Sequence, residues 1–129
     1  MKYFHTALSV KSIEKSQKFY ENVFEMKFRS AGERPELGAR FVNLEDESGN
    51  VIELFEHNDP LSLAENLMDF QRVGIKHISF IANHIEDVLD KALKNGAKII
   101  WPPKKGITVK RVAFISDLDG IPIEIIELL

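Results

Sequence analysis

The sequence has 129 residues, 44% of them hydrophobic and 29% charged, with a formal net charge of −3 and no cysteine. That balance predicts one globular domain over residues 1–129 rather than a disordered chain, and the interspersed charges give nucleic acid no basic face. No apolar run reaches the roughly 20 residues of a membrane span, and the opening Met-Lys-Tyr-Phe-His lacks a signal peptide's apolar core. The expected setting is the cytoplasm, where any metal site in a chain without cysteine must use nitrogen and oxygen ligands.

In chain order, residues 4–10 alternate as a strand does. Ser12 then caps a helix whose stripe is Ile13, Phe19, Tyr20, Val23 and Phe24. Short strands follow near residues 27–30 and 39–44, then a turn at 47–50 and a strand at 51–55. Asp59-Pro60 reads as a cap with proline at the first helical position, and Leu61, Leu63, Ala64, Leu67, Met68 and Phe70 predict a short linker helix within residues 58–74. Residues 75–82 form the next strand. Asn83 is the expected cap of a second helix, with Glu86 completing a capping box and Ile85, Val88, Leu89, Ala92 and Leu93 on one face up to Gly96. Strands near 98–101, 109–115 and 122–127, the last two joined by a turn at 117–120, complete the chain.

The chain repeats itself. Asp46, Gly49, Ile52, Glu53 and Glu56 recur as Asp117, Gly120, Ile123, Glu124 and Glu127, an offset of 71 residues from Asp46 to Asp117. His5 pairs with His77, and Ile13-Glu14 with Ile85-Glu86, at an offset of 72 from His5 to His77. The expected fold class is α+β, with a βαβββ module over residues 1–57 and another over 75–129.

Glu53 lies in Val51-Ile52-Glu53-Leu54-Phe55 and Glu124 in Ile121-Pro122-Ile123-Glu124-Ile125-Ile126. A carboxylate within an apolar strand costs several kcal/mol to desolvate unless a cation or donors compensate it. His5 and His77 open the first strand of their copies, again among apolar neighbours. Taken singly, a strand histidine is more often structural or on the surface, and a strand glutamate more often at an edge or in a salt bridge, than a ligand. Four such residues at matched places in a duplicated unit predict one site, and two imidazoles with two carboxylates suit Zn²⁺, Ni²⁺, Co²⁺, Fe²⁺ or Mn²⁺.

The sequence resembles the vicinal oxygen chelate superfamily, and glyoxalase I (lactoylglutathione lyase) most of all. The resemblance rests on His5-Thr6, Ser16 with Phe19-Tyr20, Gly49-Asn50-Val51-Ile52-Glu53-Leu54, His77-Ile78, and Asp117-Leu118-Asp119-Gly120 ahead of Glu124. It implies a curved, half-open mixed sheet around a metal cleft, and His5, Glu53, His77 and Glu124 as ligands of one divalent ion, Ni²⁺ or Zn²⁺ first. It further implies a lyase or isomerase acting through a metal-stabilised enediolate on a small 2-oxoaldehyde–thiol adduct, with Glu124 as the base, Glu53 as ligand and second base, and a homodimer as the assembly. An epimerase, thiol transferase or extradiol dioxygenase on the same scaffold is the alternative, and a non-catalytic small-molecule-binding or resistance module another.

Two positions depart from the glyoxalase I pattern. Ser9 stands where an arginine commonly helps hold glutathione, and His57 where an asparagine is usual, with Asn58 next to it. Leu118 replaces the proline of the family's turn. Elsewhere, Lys104, Lys105, Lys110 and Arg111 fit a solvated basic turn or an anion-holding cover, and Trp101 fits core or pocket wall. Arg29, Arg34 and Arg40 read as surface charges, and His57 and His84 have no histidine counterpart in the other copy.

Overall fold

The computed structural model describes residues 1–129, and the chain divides into two compact units, Met1–Ser62 and Leu63–Leu129. The first contains β1 (His5–Ser9), α1 (Ile13–Phe24), β2 (Lys27–Arg34), a 3-10 turn (Pro35–Leu37), β3 (Ala39–Glu45) and β4 (Val51–His57). The second contains β5 (Ile78–Ile81), α2 (Ile85–Lys94), β6 (Lys98–Lys105), β7 (Arg111–Ser116) and β8 (Pro122–Glu127). Each is a βαβββ module with a four-stranded sheet, ordered β1-β4-β3-β2 and β5-β8-β7-β6. The first strand of each module runs parallel to the last, and the other pairs are antiparallel. The helix supplies the long crossover that a parallel pair requires.

One face of each sheet lies under its helix. In the first unit α1 packs on β3 and β4, and Phe19, Tyr20 and Val23 are buried with Val42, Leu44, Ile52 and Leu54. In the second, Ile85, Leu89 and Ala92 of α2 are buried with Ala113, Ile115, Ile123 and Ile125. Period-2 alternation turns Glu53 and Glu124 to the opposite face. β6 runs beyond the expected residues 98–101 to Lys105. It sits at a sheet edge and shifts register between Trp101 and Lys104, where Pro102 and Pro103 have no N–H to donate.

The duplicated motif resolves into separate physical duties. Asp46 Oδ1 accepts the Ser48 and Asn50 amides at 3.0 and 2.8 Å, and Asp117 Oδ1 accepts those of Asp119 and Ile121 at 2.9 Å each. Gly49 and Gly120, at φ +83° and +87°, take the left-handed turn position that favours glycine. Glu56 accepts the Ile13 amide of α1 at 2.7 Å and Glu127 the Ile85 amide of α2 at 2.8 Å, so each satisfies a free donor at a helix start.

An arginine completes each of these caps. Arg40 bonds both Glu14 and Glu56, at 2.7 and 3.2 Å, and Arg111 bonds both Glu86 and Glu127, at 2.6 and 2.5 Å. Hydrogen bonding to Arg40 holds the Glu14 carboxyl below its usual range. Hydrogen bonding to Arg111 holds Glu86 down to about 2 and lowers Glu127 as well. Four expectations differ from the structure. Arg40 is not a free surface charge, and Arg111 belongs to this network rather than to a basic turn. Glu86 does not close a capping box, because Arg111 takes its carboxylate, and His84, not Asn83, is the N-cap residue, without a side-chain cap bond.

The linker helix expected at residues 58–74 does not form, and turns and bends replace it. Asn66 and Asp69 turn their side chains onto the amides of Met68 and Gln71, at 3.0 and 3.2 Å. Such local bonds compete with the helical ladder, and a helix this short has little stability of its own. Strand β5 is also shorter than residues 75–82, so His77 lies just before it rather than within it.

Candidate metal centre

The four sequence-predicted ligands come together as two pairs, one in each unit. His5 is the first residue of β1, and the β1–β4 register sets Val51 beside His5 and Glu53 beside Ala7, so imidazole and carboxylate share a face. His5 Nε2 stands 3.3 Å from Glu53 Oε1. In the second unit His77 Nε2 lies 3.9 Å from Glu124 Oε1, and Ser79, opposite Glu124 in the register, donates to that same oxygen at 2.9 Å. The side chains are partly exposed, Glu53 at 13% and Glu124 at 26%. Within each unit the pair stands by itself, with no group of three or more metal-ligating side chains.

Two ligands each about 2.1 Å from a common ion lie roughly 3.0–3.4 Å apart for octahedral to tetrahedral angles. The His5–Glu53 separation of 3.3 Å falls in that span, while His77 and Glu124, at 3.9 Å, stand slightly wide of it, with Ser79 holding Glu124 Oε1. The buried side-chain atoms without a hydrogen-bond partner are His5 Nδ1, Asn43 Oδ1 and His77 Nδ1, and all three belong to these two sites. Unsatisfied polarity normally costs about 1–3 kcal/mol per group, and in each histidine the unpartnered atom is Nδ1, which leaves Nε2 as the nitrogen turned to the glutamate. The residues fit a divalent ion held by nitrogen and oxygen.

Around the pairs, the two faces differ. Asn43 lies opposite Glu53, is 6% exposed, and donates through Nδ2 to Ser30 Oγ at 3.1 Å. The matching places in the second unit hold aromatic rings. Phe114 lies opposite Glu124 and packs edge-on against His77 and Trp101, with ring centroids 5.0 and 4.7 Å apart. Asn43, Ser30, Ser79 and Phe114 were not picked out from sequence, although strand register from the two glutamates points to each.

The other candidates fall elsewhere. Arg29 lies over the Phe4 ring and 3.5 Å from Glu45, and Arg34 stands 3.5 Å from Glu36. Lys104 covers the Trp101 ring at 3.8 Å. His84 begins α2, and His57 ends β4.

Residues 2–125 match the model of the Glyoxalase/Bleomycin resistance protein/Dioxygenase superfamily. The chain belongs to that superfamily. A lactoylglutathione lyase of Neisseria meningitidis serogroup A is 29% identical over 136 residues, covering 98% of this chain and 91% of the relative. Among solved structures, the trypanothione-dependent glyoxalase I of Leishmania major superposes with a TM-score of 0.77 at 24% identity, over 98% of this chain and 86% of that one. The fosfomycin resistance protein FosX of Listeria monocytogenes does so with a TM-score of 0.72 at 18% identity, over 99% and 92%. The superfamily fold thus carries more than one function. No helix of this glyoxalase-superfamily chain is long and apolar enough to cross a membrane.

Proposed function

We propose that this protein is a metal-dependent, glyoxalase I-like lyase or isomerase acting on a small 2-oxoaldehyde–thiol adduct. In this reading residues 1–129 act as one domain, and His5, Glu53, His77 and Glu124 hold one divalent ion, Ni²⁺ or Zn²⁺ first. The two pairs are brought together in a cytoplasmic homodimer. One observation carries the reading. Of the duplicated motif residues, Asp46/Asp117, Gly49/Gly120 and Glu56/Glu127 are occupied in turns and helix caps, and Ile52/Ile123 in the core. Only Glu53 and Glu124 bond neither a turn nor a helix start, and each faces a histidine.

The bound ion would supply Lewis acidity toward two adjacent substrate oxygens. The chain's own residues do the rest. Glu124, the more exposed of the two acids, is the base that takes the carbon-bound proton and returns it to the neighbouring carbon. Ser79 fixes its Oε1 on the side of His77, which leaves Oε2 for the transfer. Glu53, more deeply set beside Ala7 and Asn43, is held as a ligand. Phe114 and Trp101 keep water from the carbon that loses its proton.

Metal analysis of freshly purified protein, followed by an assay of methylglyoxal with and without glutathione or another thiol, tests the reading. About one ion per chain and thiol-dependent turnover are expected. Protein that neither carries nor takes up a divalent ion would overturn it. A bound ion without turnover on any thiol adduct would redirect it to another reaction of the superfamily.

A further inference from the structure

On the same sheet face as the His5–Glu53 pair, the first unit has an open hollow of ≈ 320 Å³ lined by Ser9, Leu37, Ala39, Phe55 and His57, of which Ser9, Leu37 and His57 are exposed. Strand register places it relative to the acid. Ser9 pairs with Phe55 and Ala39 with His57, so Ser9, Ala39, Phe55 and His57 share the face of His5 and Glu53. Phe55 is the next residue on that face after Glu53, a step of about 7 Å along the strand. Phe41 flanks Phe55, its ring centroid 5.8 Å away. Its ring lies over Gly32, where an added Cβ would come within 2.8 Å of it. Leu37 of the 3-10 turn, 57% exposed, lines the rim. Gly38 closes that turn at φ +62°, and an added Cβ there would meet His57 Nε2 at 3.2 Å.

The lining contains no lysine or arginine. His57 Nδ1 accepts the Asp59 amide at 2.9 Å, so the neutral ring carries its proton on Nε2. The polar groups on offer are therefore the Ser9 hydroxyl and one imidazole N–H, against the side chains of Leu37, Ala39 and Phe55. Within the first unit an anionic group placed here would meet a largely apolar wall and no lysine or arginine in return for the water it gives up.

We propose that this hollow takes an uncharged, largely apolar arm of the substrate, the part that extends away from the reacting carbons along the Glu53–His57 side of β4. The preferred adducts are then those of small neutral thiols rather than of a carboxylate-bearing peptide such as glutathione. The inference rests on the metal-dependent reading of the same face, and it is tested without turnover.

Two probes share a hydroxyethyl thioether and differ in the second arm, 2-(propylthio)ethanol and 3-(2-hydroxyethylthio)propane-1-sulfonate. Neither presents the pair of adjacent oxygens a metal would chelate. Binding is followed by amide chemical shifts of the purified protein, whose metal content is measured in parallel. The neutral probe should bind about tenfold or more tightly than the sulfonate, because the two share the propyl chain and only the sulfonate gives up water around a charge with no lysine or arginine in the lining to replace it, with shifts centred on Ser9, Ala39 and Phe55. Ala39→Leu, which fills the cavity, should abolish that preference while the circular dichroism spectrum stays unchanged. Ser9→Arg, at an exposed strand end, should reverse it. Equal binding of the two probes, no binding of either, or a preference that survives Ala39→Leu in a folded protein would each overturn the proposal. Loss of the metal reading would appear separately, in the metal content and the methylglyoxal assay.

Discussion

The two units share one scaffold and present two different faces. Both anchor their helix with a glutamate three residues past the site acid, and both hold that glutamate with an arginine 71 positions apart, Arg40 and Arg111. On the open face the resemblance stops. Ala7, Asn43 and Ser30 surround Glu53, whereas Ser79, Phe114 and Trp101 occupy the matching register around Glu124. Parts that serve folding are duplicated closely, and parts that would meet a substrate have diverged. The first face is small and polar beside a cavity, and the second is aromatic with a hydrogen-bonded carboxylate.

The largest effect should come from exchanging the two acids. Glu124→Gln is expected to lower kcat by about 10³-fold while the protein keeps part of its metal, the scale of a lost general base. Glu53→Gln should cost metal affinity first, with kcat restored in part by excess ion. Equal behaviour of the two variants in metal titration and steady-state kinetics would erase the distinction between the faces.

A smaller contrast lies in the caps. Glu127 is 5% exposed and Glu56 22%, so Glu127→Gln leaves a more deeply buried arginine and helix start without a carboxylate. Its Tm should fall by about 5 °C or more, and that of Glu56→Gln by less. Differential scanning calorimetry of the two variants measures the gap, and a larger drop for Glu56→Gln would reverse the ranking.

The smallest effect is in acid. Glu86 is held down to about 2 from an ordinary value of 4.5, and a depressed folded-state value stabilises the fold above the unfolded value. That contribution is complete above pH ~5 and is lost as the pH falls from about 4.5 toward about 2. It is modest, because the pair is exposed to solvent. Arg111→Met should flatten this part of the Tm-against-pH curve more than Arg40→Met does, since Glu14 is lowered less far.

Much of this was legible in the sequence because it is local or repeated. The Asp-x-x-Gly turns bond within themselves, and α1 and its Ser12 cap follow the apolar stripe closely. β8 matches the residues 122–127 read from alternation. The His–Glu pairs were legible because the copies corroborate each other. What was missed is carried by distance in sequence. Arg40 looked like a surface charge because its partners lie 26 and 16 residues away, across a helix and a strand, although its match with Arg111 at the repeat offset was a usable signal. The apolar pattern at residues 58–74 suggested a helix, yet Asn66 and Asp69 divert the backbone into turns. The cavity escaped notice because Ser9, Leu37 and His57 come from three separate segments.

The spacing between the site acid and the capping acid has a consequence for accuracy of assembly. Glu53 and Glu56 are an odd number of residues apart, so they point to opposite sides of β4, one outward and one to the helix. A slip of one residue would turn every side chain over, burying Glu53 beneath α1 and stripping the Ile13 amide of its acceptor. The helix therefore proofreads the strand. Only the alignment that seats α1 also delivers the carboxylate to its histidine, and the same check operates independently in each half.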